Sequence, residues 1–479
     1  MKGKTILVLG ATGYIGSQLV ARLIEEGYGV RCLVRDRKKI ETRVWSDDIE
    51  IFEGDILAPD SLDKAFRDVD TVYYLVHSMA APGGDFAKLD RKAARYAGEA
   101  AKKAGVGRII YLGGLGRRDL QPSEHLKSRH EVGDILRSSG VPVTEFRAAV
   151  IIGAGSLSFE LIHHLTNRLP VMICPRWVIT RTQPISVRDV LDYLTAALEN
   201  PESKNKVIDI GGPEILTYRD MILTVAKVLG LRRWLIKVPV LTPRLSSYWV
   251  KLVTPIPVKP ARALIEGLRH ETIRENNEAD RLFAIQPEPF EAAVRKALTA
   301  VIPGEIIPEK GKAASIIMQI EPSHLLKNRR QVTVGAPAEH VFSVVSAIGG
   351  DNGWYYANWL WRLRGLIDKF FGGVGLRRSG RGEAVLAVGQ TLDFWRIEEV
   401  EDEKRLLLRA EMKVPGNAWL EFEVQPLDAR RSILIQTARF YPRGLAGIFY
   451  WYGIYPFHAI VFRGLAAAIA KRAKEVTVK

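Results

Sequence analysis

The strongest constraint on this chain lies in its first sixteen residues. Thr5-Ile6-Leu7-Val8-Leu9 is a nearly unbroken apolar run, the pattern of a strand covered on both faces in a parallel sheet. It stops at Gly10-Ala11-Thr12-Gly13-Tyr14-Ile15-Gly16, and a helical pattern over residues 17–26 follows at once. Glycines at these places have separate physical uses. One makes the tight turn, one lets the main chain approach a pyrophosphate, and one lets the helix pack close to the strand. The start of the helix then presents free N–H groups to the anion. Gly10, Thr12, Gly13, Tyr14, Ile15 and Gly16 are therefore the candidate contacts to a dinucleotide. The alternative is a strand–turn–helix with no ligand.

Residues 1–150 continue to alternate, with strand patterns at 30–34, 49–52, 71–76, 108–112 and 143–146. Helical patterns lie between them at 61–67, 86–104 and 125–138. This predicts an α/β domain with a doubly wound parallel sheet. In such a domain the end of the second strand selects the cofactor: an acid there binds the ribose 2′-hydroxyl, a guanidinium the 2′-phosphate. Arg35 stands at that place, followed by Asp36, Arg37 and Lys38. The expected cofactor is NADP, with NAD left open by Asp36.

These residues resemble the short-chain dehydrogenase/reductase superfamily over about residues 1–300, in its extended and atypical, NmrA-like branch. Gly10–Gly16 is similar to the glycine motif, and Gly54-Asp55-Ile56 to the adenine-contacting acidic turn. Leu112-Gly113-Gly114 falls where the superfamily carries a catalytic Ser. The stretch from Pro184 to Val190 is similar to its late capping motif. The resemblance implies a Tyr-x-x-x-Lys pair, with Tyr as general acid and Lys on the nicotinamide ribose. The matching helix instead reads His125-Leu126-Lys127-Ser128-Arg129. In one register His125 replaces Tyr and Arg129 replaces Lys; in the other Ser123 precedes Lys127. Neither restores the Tyr. His125 is the candidate general acid, with capping or packing at the helix start as the plain alternative. His77 and Ser78 are further pocket candidates beyond the fourth strand. The atypical branch also holds NADP-sensing regulators and an accessory complex I subunit that binds NADPH without turnover.

From residue 151 to 300 the pattern is mixed, with helices near 187–199 and 218–229 and prolines at 239, 243, 255, 257 and 260. This reads as a substrate-binding part built onto the first domain, residues 244–269 covering a small hydrophobic substrate. Residues 301–324, rich in Pro, Gly and Lys, read as a linker. Residues 325–479 differ in character. Six of the ten tryptophans lie there, and Trp419-Leu420-Glu421-Phe422-Glu423-Val424 alternates as an antiparallel strand does. A strand at 331–334, a helix after Pro337 and a long closing helix over 444–474 resemble the START-like helix-grip fold. That fold implies an apolar cavity, and with it a further reading of the chain as a carrier of lipid or another hydrophobic ligand. Trp354, Tyr355, Tyr356, Trp359 and Trp361 could line it, although core packing is the expectation for aromatics at this density. Residues 445–462 are apolar enough for a buried helix, or for an interfacial one in peripheral contact with a membrane.

The net charge of +15 asks for an anionic partner. Lys and Arg are scattered among acids rather than gathered in a stripe, so no nucleic acid is expected. Phosphates of a cofactor or an anionic membrane surface suit the charge better. Cys32 and Cys174 form no CxxC or Cys/His cluster, so no disulfide framework and no metal site are expected. Met1–Lys4 runs straight into a strand, which leaves no room for a signal peptide. The expected setting is cytoplasmic, with membrane-peripheral contact open.

Overall fold

In the computed structural model the described residues are 3–41, 43, 45–77, 86–117, 123–238, 266–299, 325–370, 372–373 and 386–478. The chain divides into two compact units, Met1–Ser323 and His324–Lys479. Ser78, the prolines from 239 to 260, most of the 244–269 segment and the 301–324 linker fall outside the described residues.

The first unit holds seven principal strands: β1 (Thr5–Leu9), β2 (Gly29–Val34), β3 (Glu50–Glu53), β4 (Thr71–Tyr74), β5 (Arg108–Gly114), β6 (Val143–Ala148) and β7 (Lys206–Ile210). They form one sheet in the order β7-β6-β5-β4-β1-β2-β3, and every pairing is parallel. The direction of winding reverses between β1 and β4, where such sheets bind ligands. The apolar run in β1 follows from this. Ile6 and Val8 pack on one face with Leu19, Tyr193 and Leu194. Leu7 and Leu9 pack on the other with Ala94, Ala97 and Leu136. Each such side chain, fully buried, contributes about 1.5–3 kcal/mol of transfer free energy.

Helix α1 (Tyr14–Glu25) starts three residues before the periodic apolar pattern, because Gly13 takes the extended N-cap conformation and releases the chain into the helix at Tyr14. Strand β4 ends at Tyr74, short of the expected residue 76. Helices α2 (Phe86–Lys103), α3 (Glu124–Arg137), α4 (Leu157–Arg168), α5 (Val187–Glu199) and α6 (Tyr218–Val228) follow. At α3 the Ser123 hydroxyl accepts from Leu126 N–H at 3.4 Å. At α5 Ser186 accepts from Asp189 N–H at 3.0 Å. Helices α4, α6 and α7 (Phe290–Thr299) share a separate apolar cluster built on Phe159, Met221 and Val294.

The second unit is an antiparallel six-stranded sheet: β8 (Leu326–Val334), β9 (Thr391–Leu392), β10 (Trp395–Glu401), β11 (Arg405–Ala410), β12 (Gly416–Asp428) and β13 (Arg431–Pro442), in the order β8-β13-β12-β11-β10-β9. Helices α8 (Ala338–Ser346), α9 (Asn358–Phe370) and the 35-residue α10 (Gly444–Val478) complete it. Its core joins Leu420, Phe422 and Phe440 to Leu465, Ile469 and Ala473 of α10. Trp354 and Trp361 belong to that core, with ring centroids 4.8 Å apart. Trp354 also donates to Asp393 Oδ2 at 2.8 Å. Tyr356 and Trp359 are exposed, so the five aromatics form neither a single core patch nor a single lining.

Candidate functional site

The glycine turn is shaped as close approach demands. Gly10 has φ +93°, and a Cβ there would lie 2.7 Å from the Leu75 carbonyl oxygen. A Cβ on Gly16 would lie 2.2 Å from the Gly10 carbonyl oxygen, so the α1–β1 packing requires glycine. No side chain caps Gly13, and Thr12 and Gly13 are exposed; the first N–H groups of α1 are open to an anion. The side chains of Tyr14 and Ile15 do not share this surface. Ile15 packs on the core, and the Tyr14 hydroxyl is buried against Gly153 without a hydrogen-bond partner among the described residues; burial raises its pKa. These two residues offer main-chain contacts only.

Because Leu9 pairs with Leu33, Arg35 leaves the sheet beside the turn. Arg35 is exposed and has no ion pair or hydrogen bond among the described residues. Its neighbours are engaged: Arg37 pairs with Glu41 at 2.9 Å, and Asp36 Oδ1 accepts from Lys38 N–H at 3.1 Å. One strand further, Gly54 N–H donates to Val34 O at 2.9 Å. Asp55 Oδ1 accepts from Leu57 N–H at 3.0 Å, closing the turn, while Ile56 packs on the core.

On the opposite side of β1, His77, His125 and Arg129 come together. The His77 and His125 rings lie 4.9 Å apart, inclined by 39°. His77 Nδ1 meets Asp90 Oδ2 at 3.3 Å, and Ser128 Oγ donates to the same oxygen at 3.3 Å. A carboxylate only accepts, so the His77 proton sits on Nδ1 and Nε2 is an acceptor. That Nε2 and the His125 Nδ1 are buried with no hydrogen-bond partner among the described residues. Burial, with His77 and Arg129 nearby, pushes His125 down to about 3. Burial also lowers His77, against the pull of Asp90. Both rings are therefore neutral near pH 7. Arg129 is held over the Tyr111 ring at 5.2 Å and donates to the Leu112 and Val76 carbonyls, the latter at 3.4 Å. It ties together the carboxyl ends of β4 and β5.

Asp90 was not singled out by the sequence reading, yet a signal existed. In α2 the buried positions are Asp90, Ala93, Ala94, Ala97, Gly98, Ala100 and Ala101, so one acid interrupts a face of small residues. A polar residue at such a position needs a buried partner. His125 also walls an apolar cavity of about 150 Å³. Gly114, Leu115 and Ala148 close the strand side, and Leu161, Trp177 and Leu268 face them. The cavity walls come from segments far apart in sequence, which left no local pattern to read.

The sheet order, the glycine turn and the carboxyl-edge cluster define an NAD(P)-binding Rossmann domain of the reductase/epimerase type. Residues 2–245 match the NmrA-like family, and the chain belongs to it. Residues 321–465 match a second family, described as a protein of unknown function (DUF2867). The photosystem II assembly factor Ycf39 of Cyanophora paradoxa is 24% identical over 242 residues, 49% of this chain and 72% of that protein. The ceramide reductase of Caulobacter vibrioides is 26% identical over 238 residues, 49% of this chain and 73% of that one. Among solved structures, the Citrobacter sp. triphenylmethane reductase complexed with NADP(H) matches with a TM-score of 0.50 at 18% identity, covering 61% of this chain and 99% of that one. The last likeness concerns the fold.

Proposed function

We propose that the first unit is an NADP(H)-dependent reductase of an apolar carbonyl or quinone-like substrate. The observation that carries this reading is the pair of buried ring nitrogens, His77 Nε2 and His125 Nδ1, without partners among the described residues, with His125 walling an apolar cavity at the carboxyl ends of β5 and β6. Buried polar atoms without partners are rare and call for a ligand or water. Gly10 and Gly16 keep the turn tight against the Leu75 and Gly10 carbonyls. That leaves the exposed Thr12 and Gly13 and the open first N–H groups of α1 for a pyrophosphate. Arg35 fits a 2′-phosphate better than a 2′-hydroxyl. The bound cofactor would supply the hydride.

The chain's own residues do the rest. His125, neutral, offers its Nδ1–H to the substrate oxygen as a hydrogen-bond electrophile rather than as an imidazolium acid. His77, turned by Asp90, accepts from an amide or a ribose hydroxyl through Nε2. The cavity walls exclude water and favour an apolar substrate body, in keeping with a ceramide reductase among the relatives. Residues 1–300 form this unit in our reading and 325–479 a START-like helix-grip domain, supported by the long α10 on an antiparallel sheet. A cytoplasmic setting fits the two free, buried cysteines.

The missing Tyr and the engagement of Arg129 with main-chain carbonyls favour a second reading: a dinucleotide-holding sensor or assembly factor, as the name of the Ycf39 relatives suggests. NADPH oxidation against apolar aldehydes, ketones and quinones separates the two. Turnover that falls at least about a hundredfold in His125→Ala supports the reductase. Saturable NADPH binding with no turnover on any of them supports the second reading.

A further inference from the structure

The second unit exposes an apolar surface that its fold does not use. Along α9, Trp359, Leu363, Leu366 and Phe370 recur at helical spacing and are 66%, 45%, 66% and 86% exposed. In the first half of α10, Phe449, Tyr452, Phe457 and Ile460 are 72%, 62%, 59% and 59% exposed. Isolated exposed apolar residues are ordinary; two aromatic-rich helix faces in one unit are not.

Charge decides what covers them. The exposed charged residues of α9 are Arg362 and Lys369, while its one acid, Asp368, is buried. From Gly444 to Phe462 no charged side chain occurs, and the exposed Arg443 and Arg463 flank that stretch. Aromatic residues bordered by cations, with no exposed acid, match the interface of an anionic bilayer.

A cavity of about 290 Å³ opens on the same side. Leu363 and Ile367 of α9 and Phe457 of α10 line it and are themselves exposed, so they form its mouth. Inside, the His458 Nδ1 is buried without a partner among the described residues. The stretch 444–476 is long and apolar enough to cross a membrane by length and composition. Leu465, Ile469 and Ala473 are nevertheless fully buried in the sheet core, and withdrawing them would open the unit. The helix belongs on the surface of the bilayer, not across it.

We propose that the second unit seats on an anionic lipid surface through the α9–α10 face, with its cavity opening into the apolar layer. This inference is independent of the reductase reading. The test is flotation of the full chain with vesicles of phosphatidylcholine, with and without phosphatidylglycerol, while tryptophan emission is followed. The chain should float with the anionic vesicles and shift its emission to the blue. Phe370→Ser with Phe449→Ser should reduce partitioning at least about tenfold, with the melting temperature unchanged because both residues are exposed. Arg362→Glu with Lys369→Glu should do the same and abolish the dependence on salt. No flotation with anionic vesicles overturns the proposal. So does a dimer in solution that the serine substitutions dissolve, since the face then binds a second copy. Retention after alkaline carbonate extraction also overturns it, because the helix would then span.

Discussion

His77 and His125 stand ring to ring, 4.9 Å between centroids, each with one buried nitrogen lacking a partner among the described residues. Forty-eight positions separate them in sequence, and the topology joins them: β4 ends just before one, and α3 begins just before the other. Asp90 behind His77 and Arg129 behind both fix where the free nitrogens lie.

The glycine turn is the first place to test. Gly16→Ala places a Cβ 2.2 Å from the Gly10 carbonyl oxygen. The expected outcome is a loss of about 1–3 kcal/mol of stability together with loss of nucleotide binding. Chemical denaturation and a fluorescence titration of the same sample measure both.

Arg35 has no partner to lose. Arg35→Ala should change stability by less than about 0.5 kcal/mol. Affinity for NADPH should fall by about 10–100-fold, the value of one or two charge-assisted hydrogen bonds, while affinity for NADH stays the same. Equal losses for both nucleotides would remove Arg35 from the 2′-phosphate.

The depressed His125 makes a pH prediction with a definite sign. Its ordinary value is 6.5 and the folded value about 3, so the unfolded chain takes the proton first. Stability is constant above about pH 7 and falls as pH drops from 6.5 towards 3, by about 2 kcal/mol at pH 5 from this group. His458, held down to about 4 by burial and Arg364, acts in the same direction in the second unit. His125→Phe should flatten the first unit's share of the slope, read from urea denaturation at stepped pH.

Ala149 borders the apolar cavity beside Ala148 and Val150. Ala149→Phe should raise KM for an apolar substrate at least about tenfold and leave the nucleotide affinity unchanged. A fall in nucleotide affinity instead would mean that the cavity belongs to the cofactor.

The parallel sheet was legible because a strand buried on both faces must be apolar wherever it is covered, and 6–9 is. The turn gives the start of α1 near Tyr14, where it lies, while the periodic apolar pattern alone begins only at residue 17 because Gly16 weighs against helix locally. His125 and Arg129 could be placed by spacing alone, since residues four apart share a helix face. Asp90 and the walls Trp177 and Leu268 could not, because their roles exist only across the fold. In the second unit, the expected burial of the long helix holds for Leu465, Ile469 and Ala473 and fails for Phe449, Tyr452, Phe457 and Ile460, although Trp451 between them is buried; composition makes both halves apolar and does not say which faces the sheet covers.

The most direct test of the account is a titration of the purified chain with NADPH and with NADH, read from nicotinamide fluorescence, beside the Gly16→Ala and Arg35→Ala variants. The account predicts saturable binding with NADPH preferred, loss of binding in Gly16→Ala and loss of the preference in Arg35→Ala. A chain that binds neither nucleotide would contradict it.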